Sequence, residues 1–129
     1  MELKDYGKEP SIFQIADLAR QNDRYRTTLW TGEHVQVTLM SIPSGGGDVG
    51  LEIHDNEDQI LFIVEGTGYV EMGYEKDNLT IQQEAHEGAM VIVPVNTWHN
   101  IKNAGDTTMK LFSIYSPVKH PFNTQQETK

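Results

Sequence analysis

Three polar side chains in one segment of the sequence have types and a spacing that could bind a metal ion. Glu52 and His54 stand two residues apart between apolar neighbours, and on a strand this spacing points both side chains to the same face. Gln59 follows the polar turn 55–58 and opens the apolar segment 60–64. A hairpin that presents a carboxylate, an imidazole and an amide carbonyl side by side is a plausible half of a metal site.

A second histidine, His99, is the candidate for the other half. It lies in the segment PVNTWHN, where Pro94 ends an apolar run because proline has no N–H to donate to a neighbouring strand. Gly88 permits a tight turn before that run. The sequence therefore predicts that His99 re-enters a sheet after a second turn, where it would meet the first three residues.

Taken together, these two segments resemble the two-motif signature of the cupin superfamily. The first motif spans residues 46–66 and the second spans residues 88–103, with the family's spacings kept. In cupins the first motif carries His-x-His and then Glu, the second carries the final His, and the four side chains hold a divalent metal inside a small jelly-roll barrel. The resemblance implies that one divalent ion is bound by Glu52, His54, Gln59 and His99.

Two positions depart from the usual cupin pattern. Glu52 stands where the family usually has its first histidine, and Gln59 stands where it has glutamate. One position gains a carboxylate and the other loses one, so the four ligands carry the same total charge as in the usual set. A divalent ion together with its ligands would therefore have the same net charge. Nitrogen and oxygen ligands without sulfur suit Zn, Mn, Fe, Co or Ni, and the sequence does not choose among them.

The resemblance also suggests a type of chemistry. Cupins with glutamine at the third ligand position include some that isomerise, cyclise or open sugar- or polyketide-like substrates without redox chemistry. We therefore expect Lewis-acid chemistry of the isomerase, cyclase or lyase type on a small oxygen-rich, sugar-like metabolite. The wider pattern looks like small single-domain bacterial cupins, including those called mannose-6-phosphate-isomerase-like, a label that rests on fold analogy.

Two other functions stay open at this stage. Two histidines and one carboxylate are also the composition of the facial triad in non-haem iron sites, so a dioxygenase is one alternative. The other is a non-catalytic cupin that binds a small ligand or serves as a sensor, with or without a metal.

The hydrophobic pattern indicates an all-β fold. Short segments that alternate with period two, roughly ten residues apart and separated by Gly and Pro, are typical of a sandwich or barrel. With the resemblance, this predicts a cupin double-stranded β-helix, or jelly-roll barrel, with a short N-terminal helix over 16–21 and an edge strand over 13–15. We expect one cupin domain over 1–129, with an N-terminal arm over 1–23 and a C-terminal tail over 116–129 on the surface.

Alternation also predicts which side chains line the cavity. If Gln59 and His99 point inward, so do the residues two positions further along each strand. An arginine or tyrosine among apolar walls would orient one polar group of a small ligand. The predicted substrate-binding residues are Arg26, Trp30, Met40, Leu61, Ile63, Trp98, Ile101 and Tyr115, with Thr38 and Phe112 as further lining candidates. The histidines predicted to lie outside the site are His34, His86 and His120.

Composition excludes several classes of function. The 129 residues contain no cysteine, which excludes disulfides, thiolate metal sites and cysteine nucleophiles. The net charge of −9 argues against a nucleic-acid partner. No segment resembles a signal peptide or membrane span, so we expect a cytoplasmic protein with no membrane partner. Trp30 and the apolar outer strand faces could form a dimer interface, and we expect a homodimer because small cupins are often dimers.

Overall fold

The computed structural model describes all residues, 1–129, and consists of one short helix and nine strands. In chain order the elements are α1 (Ile15–Gln21), β1 (Arg26–Thr31), β2 (Gln36–Ile42), β3 (Asp58–Glu65), β4 (Gly68–Gly73), β5 (Ile81–Ala85), β6 (Met90–Val93), β7 (Trp98–Asn103), β8 (Met109–Ser116) and β9 (Gln125–Gln126). No helix has the length and apolar character that crossing a membrane requires.

The strands form two antiparallel sheets, which confirms the predicted all-β jelly-roll architecture. The larger sheet has six strands in the order β6-β3-β8-β2-β1-β9, and the smaller has three in the order β5-β4-β7. Strands that are neighbours in space are often distant in sequence, as β3 and β8 are. This arrangement brings the two predicted motifs to the same end of the barrel.

Strand alternation divides the apolar side chains between two clusters. The inner cluster lies between the sheets, and its twelve buried members are Tyr25, Met40, Ile42, Leu61, Ile63, Val70, Ala85, Val91, Val93, Ile101, Met109 and Leu111. The outer cluster lies where α1 packs on the larger sheet, and its buried members are Leu18, Ala19, Leu29, Leu39 and Val64. The larger sheet is therefore covered on both faces where α1 packs on it, while Met90 and Ile92 of β6 stay exposed.

The N-terminal helix is confirmed, but the edge strand predicted over 13–15 is wrong. Ile15 is the first residue of α1, and the two residues before it have no regular structure. A helix from this point places Ile15, Leu18 and Ala19 on one face, at positions i, i+3 and i+4. All three residues contact the outer cluster, so burial of this face favours a helix over a strand.

Both chain ends are tied to β1 and β2. Asp5 is buried, and its carboxylate accepts hydrogen bonds from the backbone N–H groups of Gly7, Thr31 and Asn123 and from the Thr31 hydroxyl. Strand β9 pairs with β1. The C-terminal tail thus contacts the N-terminal arm at Asn123, pairs with β1 and ends with Lys129 against Asp48.

Candidate functional site

Three of the four predicted ligand residues meet at the end of the barrel formed by β3, β7 and β8. Glu52 and His99 are bridge partners, with N–O distances of 3.0 and 2.9 Å between their backbones. The Nε2 atom of His54 lies 3.6 Å from a Glu52 carboxylate oxygen, and the rings of His54 and His99 are 5.0 Å apart. Two backbone hydrogen bonds therefore fix the two motifs against each other at the site.

Gln59 joins this group through β8. It pairs with Tyr115 in the β3–β8 register, and the Tyr115 ring lies edge-on to the His54 ring at 6.0 Å. The side chain of Gln59 is buried.

The segment that carries Glu52 and His54 is not the regular hairpin strand that the sequence predicts. Only Glu52 forms a bridge, and the residues around it lie in bends and loops. Gly50, with φ of +97°, donates its backbone N–H to the side chain of Asn100. The loop is therefore held by individual contacts with β7, and Glu52 and His54 still converge.

Glu52 is more exposed to solvent than the other three residues. His54, Gln59 and His99 are each at most 4 % exposed, whereas the Glu52 side chain is 52 % exposed. The carboxylate therefore stands at the solvent side of the site, and the two imidazoles and the amide lie beneath it.

Several polar atoms at the site are buried without a hydrogen-bond partner. They are both ring nitrogens of His54 and the Oε1 atom of Gln59. Such an atom costs roughly 1–3 kcal/mol when it stays unpaired, and buried groups of this kind require an explanation. A cation is one partner that would pair with an imidazole nitrogen and an amide oxygen together.

His99 is oriented by its own backbone neighbour. Its Nδ1 atom lies 3.0 Å from the Thr97 carbonyl oxygen, so Nδ1–H donates and the Nε2 lone pair is left free. Burial lowers the pKa of His99, and the hydrogen bond to Thr97 only partly opposes this effect. The ring is therefore neutral at pH 7, which is the form of imidazole that binds metals.

The four side chains offer the nitrogen and oxygen atoms that a divalent ion binds, but their acidic and histidine members alone do not form a complete metal site. No group of three or more acidic or histidine side chains is arranged to hold a metal ion. The fit rests instead on the two imidazoles and the Gln59 oxygen, with Glu52 at the exposed edge.

The turn before β7 fixes the position of His54. The backbone N–H of Asn96 donates to the His54 carbonyl at 2.7 Å, and that of Val95 donates to the Asp58 carboxylate at 3.1 Å. Asn96 has φ of +58°, a left-handed conformation that asparagine tolerates better than most residues. This turn is a second link between the motifs.

Four predicted lining residues point inward but belong to the packed core. Met40, Leu61, Ile63 and Ile101 are at most 1 % exposed and are members of the inner cluster. Their inward orientation agrees with the prediction. Their role in substrate binding stays a prediction.

Trp30 and Phe112 do not line the cavity, so these two predictions are wrong, whereas substrate binding by Trp98 stays a prediction. A register shift between Thr28 and Trp30 reverses the alternation along β1. Trp30 consequently pairs with Val37, which packs on the outer cluster, and its indole N–H donates to the Glu9 carbonyl.

The other two aromatic residues follow ordinary alternation. Trp98 precedes the inward-facing His99, and its ring faces the ammonium group of Lys76 at 5.5 Å. Phe112 stacks on Phe62 at 5.2 Å among residues that pack on the outer cluster.

The remaining lining candidates, Arg26, Thr38 and Tyr115, face the interior. Thr38 is fully buried and shares a hydrogen bond of 2.9 Å with Ser113. The positive charge of Arg26 acts on the pKa of Tyr115, although burial is the larger effect and raises that pKa. Tyr115 is therefore protonated at pH 7 and can donate a hydrogen bond.

His120, which the sequence predicts to lie outside the site, packs against Tyr115. Its ring lies edge-on to Tyr115 at 5.2 Å, and its Nε2 atom is 3.4 Å from the Tyr115 hydroxyl. Burial, aided by the charges of Arg26, Lys119 and His54, lowers the pKa of His120 to about 4. The tail thus brings a neutral imidazole next to the site.

Gln36 holds the tail in this position. Its Oε1 atom accepts from the backbone N–H groups of Lys119 and His120, and its Nε2 donates to the His120 carbonyl and the Thr31 hydroxyl. Period-two alternation along β2 could have indicated that Gln36 faces inward with Thr38. No local signal in the tail indicates the position of His120.

The fold and the two joined motifs define a cupin. The family model of the cupin domain matches residues 38–115, and the chain belongs to this family.

Similar proteins support this assignment. The chain is 51 % identical over 127 residues to the uncharacterized protein YrkC of Bacillus subtilis (strain 168), a match that covers 98 % of this chain and 68 % of YrkC. The crystal structure of BH2720 from Bacillus halodurans superposes with a TM-score of 0.95 at 46 % identity, covering 97 % of this chain and 94 % of that one. The structure of KdgF from Halomonas sp. has a TM-score of 0.63 at 18 % identity, with 73 % and 80 % of the two chains covered, and shows the shared fold alone.

Proposed function

We propose that this cupin binds one divalent metal ion and catalyses a non-redox reaction of the isomerase, cyclase or lyase type on a small oxygen-rich, sugar-like metabolite. The residues that would hold the ion are Glu52, His54, Gln59 and His99. The observation that supports this proposal is the set of buried, unpaired polar atoms, namely both His54 nitrogens and the Gln59 oxygen. The His54 ring lies 5.0 Å from the His99 ring at the end of the barrel where the two motifs meet, and Gln59 pairs there with Tyr115.

Each of these residues would make a different contribution. His54 and His99 offer neutral imidazole nitrogens, and Gln59 offers a neutral oxygen. Glu52, the exposed member, offers a carboxylate on the side from which a metabolite enters. When bound, a divalent ion supplies Lewis-acid stabilisation of negative charge on a carbonyl or hydroxyl oxygen.

The surroundings of the site support chemistry away from bulk water. The inner apolar cluster closes the barrel below the four residues, and low solvent content strengthens electrostatic interactions. Tyr115 can donate a hydrogen bond to a bound metabolite from above His54. The narrower likeness to mannose-6-phosphate-isomerase-like cupins makes sugar phosphates the first metabolites to screen.

Metal analysis tests this proposal directly. The protein is purified without added metal, its metal content is measured, and binding of Zn, Mn, Fe(II), Co and Ni is titrated after chelation. We expect about one equivalent of metal, with affinity reduced by at least about tenfold in His99→Ala. The matched control is His86→Ala, since His86 is 68 % exposed and lies in a loop outside the site. Circular dichroism checks that both variants fold.

Other outcomes separate the alternatives. If none of the five metals binds the wild type, the metal site is refuted and a non-catalytic ligand-binding module is favoured. If iron binds and oxygen is consumed with substrate, the reaction is that of a dioxygenase. If His99→Ala retains full metal occupancy, the metal lies elsewhere.

We also propose that the protein is a cytoplasmic homodimer. Strand β6 lies at the edge of the larger sheet, and its exposed residues Met90 and Ile92 line a groove with Ile81 of β5. A second copy could pair with this edge around a two-fold axis and cover these residues. Light scattering after gel filtration should give a dimer mass for the wild type and a monomer mass for Ile92→Asp. A monomeric wild type would contradict this proposal.

A further inference from the structure

We propose that Arg26, together with Tyr115 and His120, forms a subsite for an anionic group, a carboxylate or a phosphate, of the metabolite. This inference rests on the proposed function, because it assigns a chemical class to the substrate of the same site. It adds a residue of the C-terminal tail to the site and gives Arg26 a specific role.

The first observation is that Arg26 has no counter-ion. Arg26 takes part in none of the ion pairs that the structure contains, so every carboxylate, including that of Glu52, lies beyond 4.0 Å. Its Nε atom is buried and has no hydrogen-bond partner. Arg26 as a whole is half-buried. Its guanidinium group is always charged, and a polar atom that is shielded from water without a partner is unfavourable.

The second observation is the polarity of the contacts that Arg26 does make. Its Nη1 atom donates to the neutral amide oxygen of Gln126 at 2.5 Å, and its guanidinium lies 5.3 Å from the centre of the Tyr25 ring. Neither contact neutralises the charge. The planar fork of arginine matches the paired oxygens of a carboxylate or phosphate.

The third observation is that Arg26 lies close enough to Tyr115 and His120 for its charge to act on the pKa of both groups, and that neither group is negatively charged at pH 7. The hydroxyl of Tyr115 and the Nε2 atom of His120 lie 3.4 Å apart, which is a long contact for a hydrogen bond. The Tyr115 hydroxyl can therefore donate to a ligand, and the neutral His120 ring can donate from the one nitrogen that carries its proton. The Tyr115 ring also contacts the His54 ring, so an anion held by these donors would stand beside the proposed metal ligands.

The shared donor chemistry does not separate a carboxylate from a phosphate, so the experiment uses both. Sodium acetate and sodium phosphate are titrated at pH 7 against the full chain, with ionic strength held constant by sodium chloride. Binding is measured from tyrosine and histidine NMR signals and from the shift in melting temperature. The variants are Arg26→Gln and Arg26→Lys, and the matched control is Arg24→Gln, whose arginine pairs with Glu127 outside the site.

We expect saturable binding of at least one anion to the wild type and to Arg24→Gln. Affinity should fall by at least about tenfold in Arg26→Gln, the loss typical of a charge-assisted hydrogen bond. Arg26→Lys should bind more weakly than the wild type because it keeps the charge without the fork. Acetate binding would identify a carboxylate substrate, and phosphate binding a phosphate ester. If neither anion binds, or if Arg26→Gln binds like the wild type, the proposal is overturned.

Two further measurements keep the result unambiguous. The titration is repeated on chelated and metal-loaded protein. Anion binding to chelated protein that is lost in Arg26→Gln supports the subsite even if the metal proposal fails. Anion binding that requires metal and survives in Arg26→Gln overturns the subsite and leaves the metal proposal intact. If the Arg26 variants do not fold, Tyr115→Phe serves instead, and unchanged affinity in that variant would contradict the proposal.

Discussion

Asp5 is a buried residue of the N-terminal arm, and replacing it with asparagine should destabilise the protein strongly. The Asp5 carboxylate is 6 % exposed and accepts hydrogen bonds from the backbone N–H groups of Gly7 and Thr31 at 2.9 Å, and of Asn123 at 3.0 Å. Asparagine keeps one oxygen, but its NH₂ group would face the Asn123 N–H, which is itself a donor. Loss of the negative charge that strengthens these hydrogen bonds, together with one opposed donor pair, should cost about 2–4 kcal/mol in the free energy of unfolding.

The same carboxylate should make stability depend on pH. Burial of Asp5 opposes ionisation, but the hydrogen bonds from Thr31, Asn123 and Gly7 outweigh it and lower the pKa. The folded protein therefore releases this proton more readily than the unfolded chain. The stabilisation is present above the unfolded pKa of about 3.9 and is lost as the pH falls through the folded pKa.

Urea unfolding of the wild type and Asp5→Asn between pH 7 and pH 3 measures both effects. The difference in free energy should be largest at pH 7 and should shrink towards pH 3. Asp17→Asn is the matched control, because Asp17 is 79 % exposed and its contact with Arg20 is a surface pair worth little. A difference below about 0.5 kcal/mol at pH 7, or one that grows in acid, would refute this account of Asp5.

Substitutions at three further positions test how turns and buried polar groups support the barrel. Asn96→Val should lower the free energy of unfolding by about 1–3 kcal/mol, because a β-branched residue is strained at φ of +58°. Asn96→Gly should be nearly neutral. Equal stability of the two variants in chemical denaturation would contradict this prediction. Gly66→Ala should cost at least about 1–3 kcal/mol by the same assay, since φ is +95° and an added Cβ would lie 3.1 Å from the Met109 Cα atom, and wild-type stability would refute the assignment. Lys110→Met should lower the melting temperature, because the ammonium of this buried residue donates to the Asn22 carbonyl at 2.5 Å and pairs with Asp23 at 3.3 Å, and the Asn22 oxygen would keep only its hydrogen bond from the Ser41 hydroxyl; an unchanged melting temperature would show that these contacts contribute nothing.

The sequence predicts those features that depend on local alternation and fixed spacing. Side-chain direction along β3 and β7 follows from period two, so the inward positions of Gln59 and His99 were accessible from the pattern. The cupin motif spacing brought Glu52 and His54 into the same hypothesis, although Glu52 forms only a single bridge. Period two was enough for Gln59 and His99 because both lie in regular strands, whereas Glu52 and His54 lie in an irregular segment and depended on the motif spacing.

Features that depend on irregularity or on distant contacts were not predictable in this way. The register shift after Thr28 reverses the face on which Trp30 lies, and nothing in the residue types around it marks a bulge. The position of His120 is set by hydrogen bonds to Gln36, 84 residues away in sequence. Contacts between residues so far apart in the sequence cannot be identified from a short sequence segment.

Gln36 attaches the C-terminal tail through peptide groups alone. Its amide oxygen and nitrogen bond only main-chain atoms of Lys119 and His120 on the tail side, so the anchor does not depend on which side chain the tail carries. A change of residue at position 120 would alter the chemistry offered at the entrance while the segment stays fastened. The tail is therefore held through its backbone, and the side chain at position 120 is not needed to hold it. One substitution at this position can change which ligands the entrance binds.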